Sequence, residues 1–257
     1  MNSEQIKIIA MNLWVYGLLL LLTIVGILVT PTAGLYFFLR YGWQTPRIIR
    51  HIIWLYGKGW LLIIRPFVHF QRQGLTDDQV PENCIFVINH LSFFDTYFMG
   101  ALPQSDITFA VRSWPFKMFW YRLFMQLANY LEVEDLSWEQ TLAKGNVVLK
   151  QGGAVLFFPE GHRSRTGKMQ RFYSGAFHLA VQSGCPIVPL CITGTDELLP
   201  PGRRYVKPAK VRLKILPVVD VANYQQEGGH RQLRKDVKAS MVAELERMLS
   251  NTEHESR

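Results

Sequence analysis

Apolar positions dominate the start of the chain: no charged side chain occurs from Ile8 to Leu39, a run of 32 residues. As a helix this run is about 48 Å long, against a hydrocarbon core of roughly 30 Å. It must therefore bend or overshoot. Pro31, after Thr30, is the expected break, because proline removes a helical donor and clashes with the preceding turn. Ile8–Val29 alone is long enough to span a membrane. Ala33–Leu39 would then lie at the interface, or the two pieces would form a shallow hairpin. A cleaved signal peptide is the competing reading, but the run is too long for an h-region and its cleavage pattern is weak. From His51 to Phe70 the chain is again apolar, interrupted by Lys58 and Arg65 and carrying Trp54, Tyr56 and Trp60. That pattern reads as an interfacial helix with aromatic rings at headgroup depth. An amphipathic core helix of the following domain is the alternative.

Beyond residue 70 short apolar runs alternate with helical patterns. Strands are expected at Cys84–Asn89, Ile107–Val111, Ala154–Phe158, Pro186–Ile192 and Val211–Val221, the last broken at Pro217. Helices are expected at Trp114–Asn129, Trp138–Gln151, Gly175–Gln182 and Arg231–Leu249. In the last, Val237, Met241, Leu245 and Met248 recur at helical spacing. Alternating strands and helices predict an α/β fold, a mixed, mostly parallel sheet flanked by helices, behind an N-terminal hydrophobic membrane-anchor helix or hairpin. The expected division is an anchor and interfacial helix over 1–70, an α/β domain over 71–250 and a polar tail over 251–257. Pro186 and Pro189 within one apolar strand predict an edge or irregular strand.

Charge refines this picture. The chain has 28 Lys and Arg against 20 acids, a net +8. Residues 1–70 hold six of the basic side chains and one acid, and five of the six follow the apolar run: Arg40, Arg47, Arg50, Lys58 and Arg65. The positive-inside rule puts that side in the cytoplasm; compact size and a single anchor suggest a bacterial cytoplasmic membrane, with a eukaryotic reticulum membrane facing the cytosol as the alternative. A basic balance suits anionic lipid, phosphate ligands or nucleic acid. No nucleic-acid motif accompanies it, and most of the excess flanks the apolar run, so no nucleic-acid partner is expected. Cys84, Cys185 and Cys191 sit in apolar runs, which suits buried reduced thiols rather than a disulfide scaffold.

Two clusters carry candidate chemistry. The first strand runs into Asn89-His90-Leu91-Ser92-Phe93-Phe94-Asp95. Five residues turn about 500° on a straight helix, so His90 and Asp95 can meet only if His90 lies on a strand-to-helix turn. Asp95 could then accept from one ring nitrogen and leave the other as a base. Such a pair also arises by chance. The second cluster, Phe157-Phe158-Pro159-Glu160-Gly161-His162-Arg163-Ser164-Arg165, also follows an apolar strand. Arg163, Arg165, Lys168 and Arg171 place four cations within nine residues. This suits an anionic headgroup or, equally, a solvated basic loop. Ser174 is a possible helix N-cap. His51, His69, His178, His230 and His254 lack metal-ligand spacing, and no metal site is expected. Neither Ser92 nor Ser174 sits in a G-x-S-x-G turn, so neither is a hydrolase-type nucleophile.

Asn89-His90 with Asp95, Phe158-Pro159-Glu160-Gly161 with Arg163-Ser164, and Val188-Pro189-Leu190 match three of the four motif blocks of the glycerolipid acyltransferases. Over roughly residues 50–220 the chain resembles the 1-acyl-sn-glycerol-3-phosphate acyltransferase (PlsC-type) family. The resemblance implies direct acyl transfer from acyl-CoA or acyl-carrier protein, with no other cofactor. His90 would be the general base and Asp95 would fix its imidazole. Glu160, Gly161, Arg163 and Ser164 would bind the acceptor, with Arg163 on the phosphate and Glu160 orienting Arg163 or an acceptor hydroxyl. Arg165, Lys168 and Arg171 are possible phosphate or CoA contacts, and Val188, Pro189 and Leu190 would shape the pocket. His162 stands where the family often has Thr. The second block departs: Leu127-Ala128-Asn129-Tyr130-Leu131-Glu132-Val133-Glu134-Asp135 has three acids and lacks the family's phosphate-binding Arg. Arg112, Lys117 or Arg122 could substitute for it. The implied acceptor is 1-acyl-sn-glycerol-3-phosphate. The alternatives are the same chemistry on another lyso-lipid (a lyso-aminolipid, another lysophospholipid or a specialised lipid) or a non-catalytic lipid-binding membrane protein.

Overall fold

The computed structural model of the chain describes residues 2–134 and 137–254. The strands are β1 (Val68–Gly74), β2 (Ile85–Ile88), β3 (Ile107–Val111), β4 (Leu131–Glu132), β5 (Ala154–Phe157), β6 (Ile187–Thr193) and β7 (Ala209–Ile215). They form one sheet in the order β1-β7-β6-β2-β5-β3-β4, parallel throughout except between β6 and β7. The expected mixed, mostly parallel sheet is therefore present. Along β2, Ile85 and Val87 enter one core and Phe86 and Ile88 the other, all with no exposed surface. A strand covered on both faces reads as a continuous apolar run rather than an alternation.

The helices are α1 (Ser3–Tyr41), α2 (Thr45–Ile64), α3 (Asp95–Phe98), α4 (Ser113–Phe116), α5 (Phe119–Leu127), α6 (Trp138–Lys150), α7 (Gly175–Ser183), α8 (Thr195–Leu198) and α9 (Gly229–His254). On one face of the sheet Met11 of α1, Trp60 of α2 and Phe98 of α3 pack with Phe86 and Ile88. On the other, Val148 of α6, Phe177 of α7 and Met241 of α9 pack with Ile85 and Val87.

Pro31 does not break the first helix. The helix runs on through it with one amide donor fewer, while the hydroxyls of Thr30 and Thr32 bond back to the carbonyls of Gly26 and Val29 at 2.6 and 3.0 Å. The helix ends instead at Gly42, whose φ of 64° is left-handed and whose N–H donates to Phe38 O at 2.9 Å. At 39 residues α1 is about 58 Å long, and it is long and apolar enough to cross a membrane.

The interfacial helix expected over His51–Phe70 is instead a core helix, α2, ending at Ile64. Trp60, expected at headgroup depth, is fully buried and stacks on Phe94 with ring centres 4.2 Å apart. Gly57 lies against Gly100, where a Cβ would come within 3.0 Å of the Gly100 Cα. Arg50, 5% exposed, donates to Asp106 at 2.5 Å and to Ala128 O at 3.0 Å. α1 runs antiparallel along α2. Trp14 Nε1 donates to Ile63 O, the Thr23 and Tyr56 hydroxyls bond at 2.7 Å, and the Phe37 and His51 rings meet at the far end.

Other differences have local causes. Val68–Phe70, expected as the end of a helix, instead opens the edge strand β1, which is paired along its length with β7. The two-residue β4 is too short to show as a run. The helix expected over Trp114–Asn129 divides into α4 and α5, because Met118 is extended (φ −81°, ψ 113°). β6 is an interior strand, not an edge. Pro189 is tolerated there because its carbonyl accepts from Leu216 beyond the end of β7, where no ladder amide is needed from residue 189. β7 ends at Ile215 and only Val219 returns to bridge Ile187.

Candidate active site

β2 ends at Ile88, and the Asn89 side chain carries the pairing with β6 one step further. Its amide donates to Ile192 O at 2.9 Å, and its oxygen accepts from Ile192 N at 2.8 Å. The chain therefore leaves the sheet at a fixed point, and His90 is the first residue beyond it. Asp95 opens α3 with no exposed surface. Its Oδ2 accepts from Leu91 N, Ser92 N and His90 Nδ1 at 2.7, 2.8 and 2.7 Å. A carboxylate oxygen can only accept, so the imidazole proton lies on Nδ1. Nε2 has no hydrogen-bond partner among the described residues. The ring packs on Phe158 with centres 4.1 Å apart.

The loop after β5 clasps the backbone of this histidine. Glu160, 1% exposed, accepts the His90 N–H on one oxygen at 2.9 Å and the Gln170 N–H on the other at 2.6 Å. Burial raises its pKa above the ordinary carboxylate value, and the two amides oppose the shift. Ser164 N donates to His90 O at 2.7 Å, while its hydroxyl donates to Lys168 O. Gly161 turns at φ 71°, where a Cβ would lie 2.9 Å from the Tyr173 ring. Glu160 therefore does not orient Arg163, and among the described residues no ion pair joins them.

His90 lines a cavity of about 1740 Å³. One wall is apolar: Leu19, Leu20 and Ile27 of α1, Ile53 of α2, and Phe124 and Met125 of α5. Tyr97 and Tyr121 also line it and bond to one another through their hydroxyls. Burial pushes the Tyr121 phenol up to about 12. Cations come from Arg112, Arg163 and Arg165, and from Arg50, which is held by Asp106. Arg163 and Arg165 make no ion pair among the described residues. Arg112 is held by Glu134, which also accepts the Ser113 N–H at 2.8 Å. That amide first, then Arg112, lowers the Glu134 pKa.

Of the expected site residues, His90, Gly161, Arg163 and Arg165 reach the cavity, and Asp95, Glu160 and Ser164 stand directly behind His90. Lys168 and Arg171 are exposed and away from the lining. Val188, Pro189 and Leu190 do not shape the pocket. They are buried in β6, where Leu190 pairs with Ile88 and supports the strand that delivers His90. Ser174 stands at the α7 N-cap position without capping it; its hydroxyl accepts from Arg234 at 2.7 Å. In the divergent second block Asn129 turns with a left-handed φ of 54°, and its acid Glu134 anchors Arg112 at the cavity. Asp135 lies outside the described residues. Lys117 and Arg122, the other possible substitutes for the missing Arg, do not line the cavity. The bracing by Asn89 and the Tyr97–Tyr121 pair carried no sequence signal beyond the presence of polar residues in apolar surroundings.

Residues 69–193 match the family model described as Acyltransferase. A chloroplastic 1-acyl-sn-glycerol-3-phosphate acyltransferase of Brassica napus is 33% identical over 153 residues, covering 57% of this chain and 44% of its own. The protein of that name from Escherichia coli K12 is 27% identical over 191 residues, 69% of this chain and 74% of its own. The chain spans about half the length of the plant relatives it matches. The crystal structure of PlsC, the 1-acyl-sn-glycerophosphate acyltransferase of Thermotoga maritima, superposes with a TM-score of 0.71 at 23% identity. That match covers 96% of this chain and 98% of the other, and it establishes a shared fold.

Proposed function

We propose, from the match of residues 69–193 to the acyltransferase family model and the likeness to 1-acyl-sn-glycerol-3-phosphate acyltransferases, that the chain acylates the free hydroxyl of a lysophospholipid. The favoured acceptor is 1-acyl-sn-glycerol-3-phosphate, giving phosphatidic acid. The observation that carries this reading is the His90–Asp95 dyad, with Nδ1 committed to a buried carboxylate and Nε2 unbonded at a large, mostly apolar cavity.

In this mechanism Nε2 takes the proton of the acceptor hydroxyl as its oxygen attacks the thioester carbonyl of acyl-CoA or acyl-carrier protein. Asp95 stabilises the imidazolium. Collapse of the tetrahedral intermediate breaks the C–S bond, and the imidazolium returns its proton to the departing sulfur. No acyl-enzyme and no metal take part. A positioned base contributes about 10²–10⁴-fold. Arg163 and Arg165, free of carboxylate partners among the described residues, would hold the acceptor phosphate, and Arg112, which also lines the cavity, would supply a further cation. The apolar wall would take the acyl chains. Glu160 and Ser164 act on the reaction by holding the His90 backbone. Lys168 and Arg171 remain available to anionic lipid or CoA at the surface.

We further place the protein at a membrane surface with its active site facing the cytoplasm. α2 touches the α/β domain along its length and α1 lies on α2, so the outer apolar side of α1 faces the bilayer in plane. The test is acyl transfer by membranes containing the protein, with labelled acyl-CoA or acyl-carrier protein. Lysophosphatidic acid is offered beside lysophosphatidylethanolamine, lysophosphatidylglycerol and a lyso-ornithine lipid. Transfer to lysophosphatidic acid is expected. Transfer to another acceptor alone would move the headgroup assignment, and no transfer to any would overturn it.

A further inference from the structure

The cavity rim is not uniform. Beside the exposed tyrosines Tyr16 and Tyr173, five wholly apolar or indole side chains both line it and stand exposed: Leu20 (63%), Ile27 (50%), Trp114 (45%), Leu123 (58%) and Val133 (39%). The first two belong to α1, the next two to α4 and α5, and Val133 follows β4. Leu127, one turn after Leu123 on α5, is 37% exposed on the same helix face. Residues 113–127 contain no acid, and their two cations, Lys117 and Arg122, are exposed.

An exposed leucine pair, a partly exposed tryptophan and basic tips without acids form the composition of a lipid-facing element. The occupant of this face is argued from continuity. It closes the same opening as α1, whose outer surface is apolar along a helix long enough to cross a membrane. The cations suit anionic headgroups.

We propose that α4–α5 is a second membrane-binding element, and that α1 and α5 frame a lateral doorway through which lipid chains pass from the bilayer to His90. The function of this doorway rests on the lipid-acyltransferase reading, but its test does not use activity. The full-length protein is reconstituted in vesicles of phosphatidylcholine and phosphatidylglycerol with one nitroxide per molecule, at Leu123→Cys, Leu127→Cys, Leu28→Cys on α1 or Lys235→Cys on α9. The native cysteines are buried. Collision rates with oxygen and with a water-soluble nickel chelate report depth. The labels at 123 and 127 are expected to favour oxygen, as at 28, while the label at 235 favours nickel. Nickel-dominated values at both 123 and 127 would overturn the proposal, whether the label at 28 reads lipid or water. A separate absence of acyl transfer by the unlabelled protein, with lipid-like depth at 123, would instead count against the catalytic reading alone.

Discussion

Replacing Asp95 with Asn separates two things the carboxylate does. All three donors, His90 Nδ1–H, Leu91 N–H and Ser92 N–H, converge on the single oxygen Oδ2, and Oδ1 is buried with no partner. An asparagine that turns its oxygen to these donors keeps every hydrogen bond and the same imidazole tautomer. Its amide nitrogen takes the place of an atom already unpaired, so stability changes little. The negative charge is lost. Two unit charges about 4 Å apart interact by about 4 kcal/mol at an effective dielectric near 20. The imidazolium formed in the transition state loses stabilisation of that order, and kcat should fall about 10³-fold with KM nearly unchanged. A tautomer error would cost about 10⁴-fold, as in a Ser-His-Asp triad. The assay is steady-state acyl transfer, with thermal unfolding of both proteins as the structural control. A variant within tenfold of wild-type kcat would refute the electrostatic role of Asp95. So would a loss accompanied by a lowered melting temperature.

Asn89→Ala leaves the buried N–H and C=O of Ile192 without their partners, and should cost about 2–4 kcal/mol of stability together with activity, read by denaturant unfolding; an unchanged midpoint would contradict the bracing role. Glu160 gives a pH signature. Burial holds its carboxyl above 4.5, so between that value and the raised one the folded protein binds more protons than the unfolded chain. Its ionisation therefore lowers stability as pH rises through this window. The melting-temperature advantage of wild type over Glu160→Gln should shrink from pH 4.5 upward, and a widening advantage would reverse the sign. Arg163→Ala should raise the KM for the phosphate-bearing acceptor about tenfold or more while leaving kcat within a few-fold; an unchanged KM would remove Arg163 from the acceptor site.

The doubly covered strands were legible because burial on both faces forces unbroken apolar runs, as in Ile85–Ile88. The edge strand Val68–Gly74 was not, because its pattern is partly exposed and it follows directly on an apolar helix. Pro31 predicts a break because that is its usual consequence, whereas the helix here continues through it to Tyr41 and ends at Gly42. The dyad could be named because His90 and Asp95 belong to one short turn. The other half of the site depends on long-range placement. Glu160 reads locally as part of an anion-binding loop, yet both its oxygens are spent on backbone amides, one of them 70 residues away. Val188–Leu190 likewise reads as a pocket motif, while its position in the sheet order, invisible along the chain, makes it support for β2.

The central claim is that Nε2 of His90 takes the acceptor proton. The direct measurement is transfer of labelled acyl groups to lysophosphatidic acid by purified wild-type and His90→Ala proteins in the same vesicles, with matched membrane association and melting temperature. The account predicts that His90→Ala loses at least 10²-fold in kcat while still binding the vesicles. Transfer by His90→Ala at the wild-type rate would contradict it.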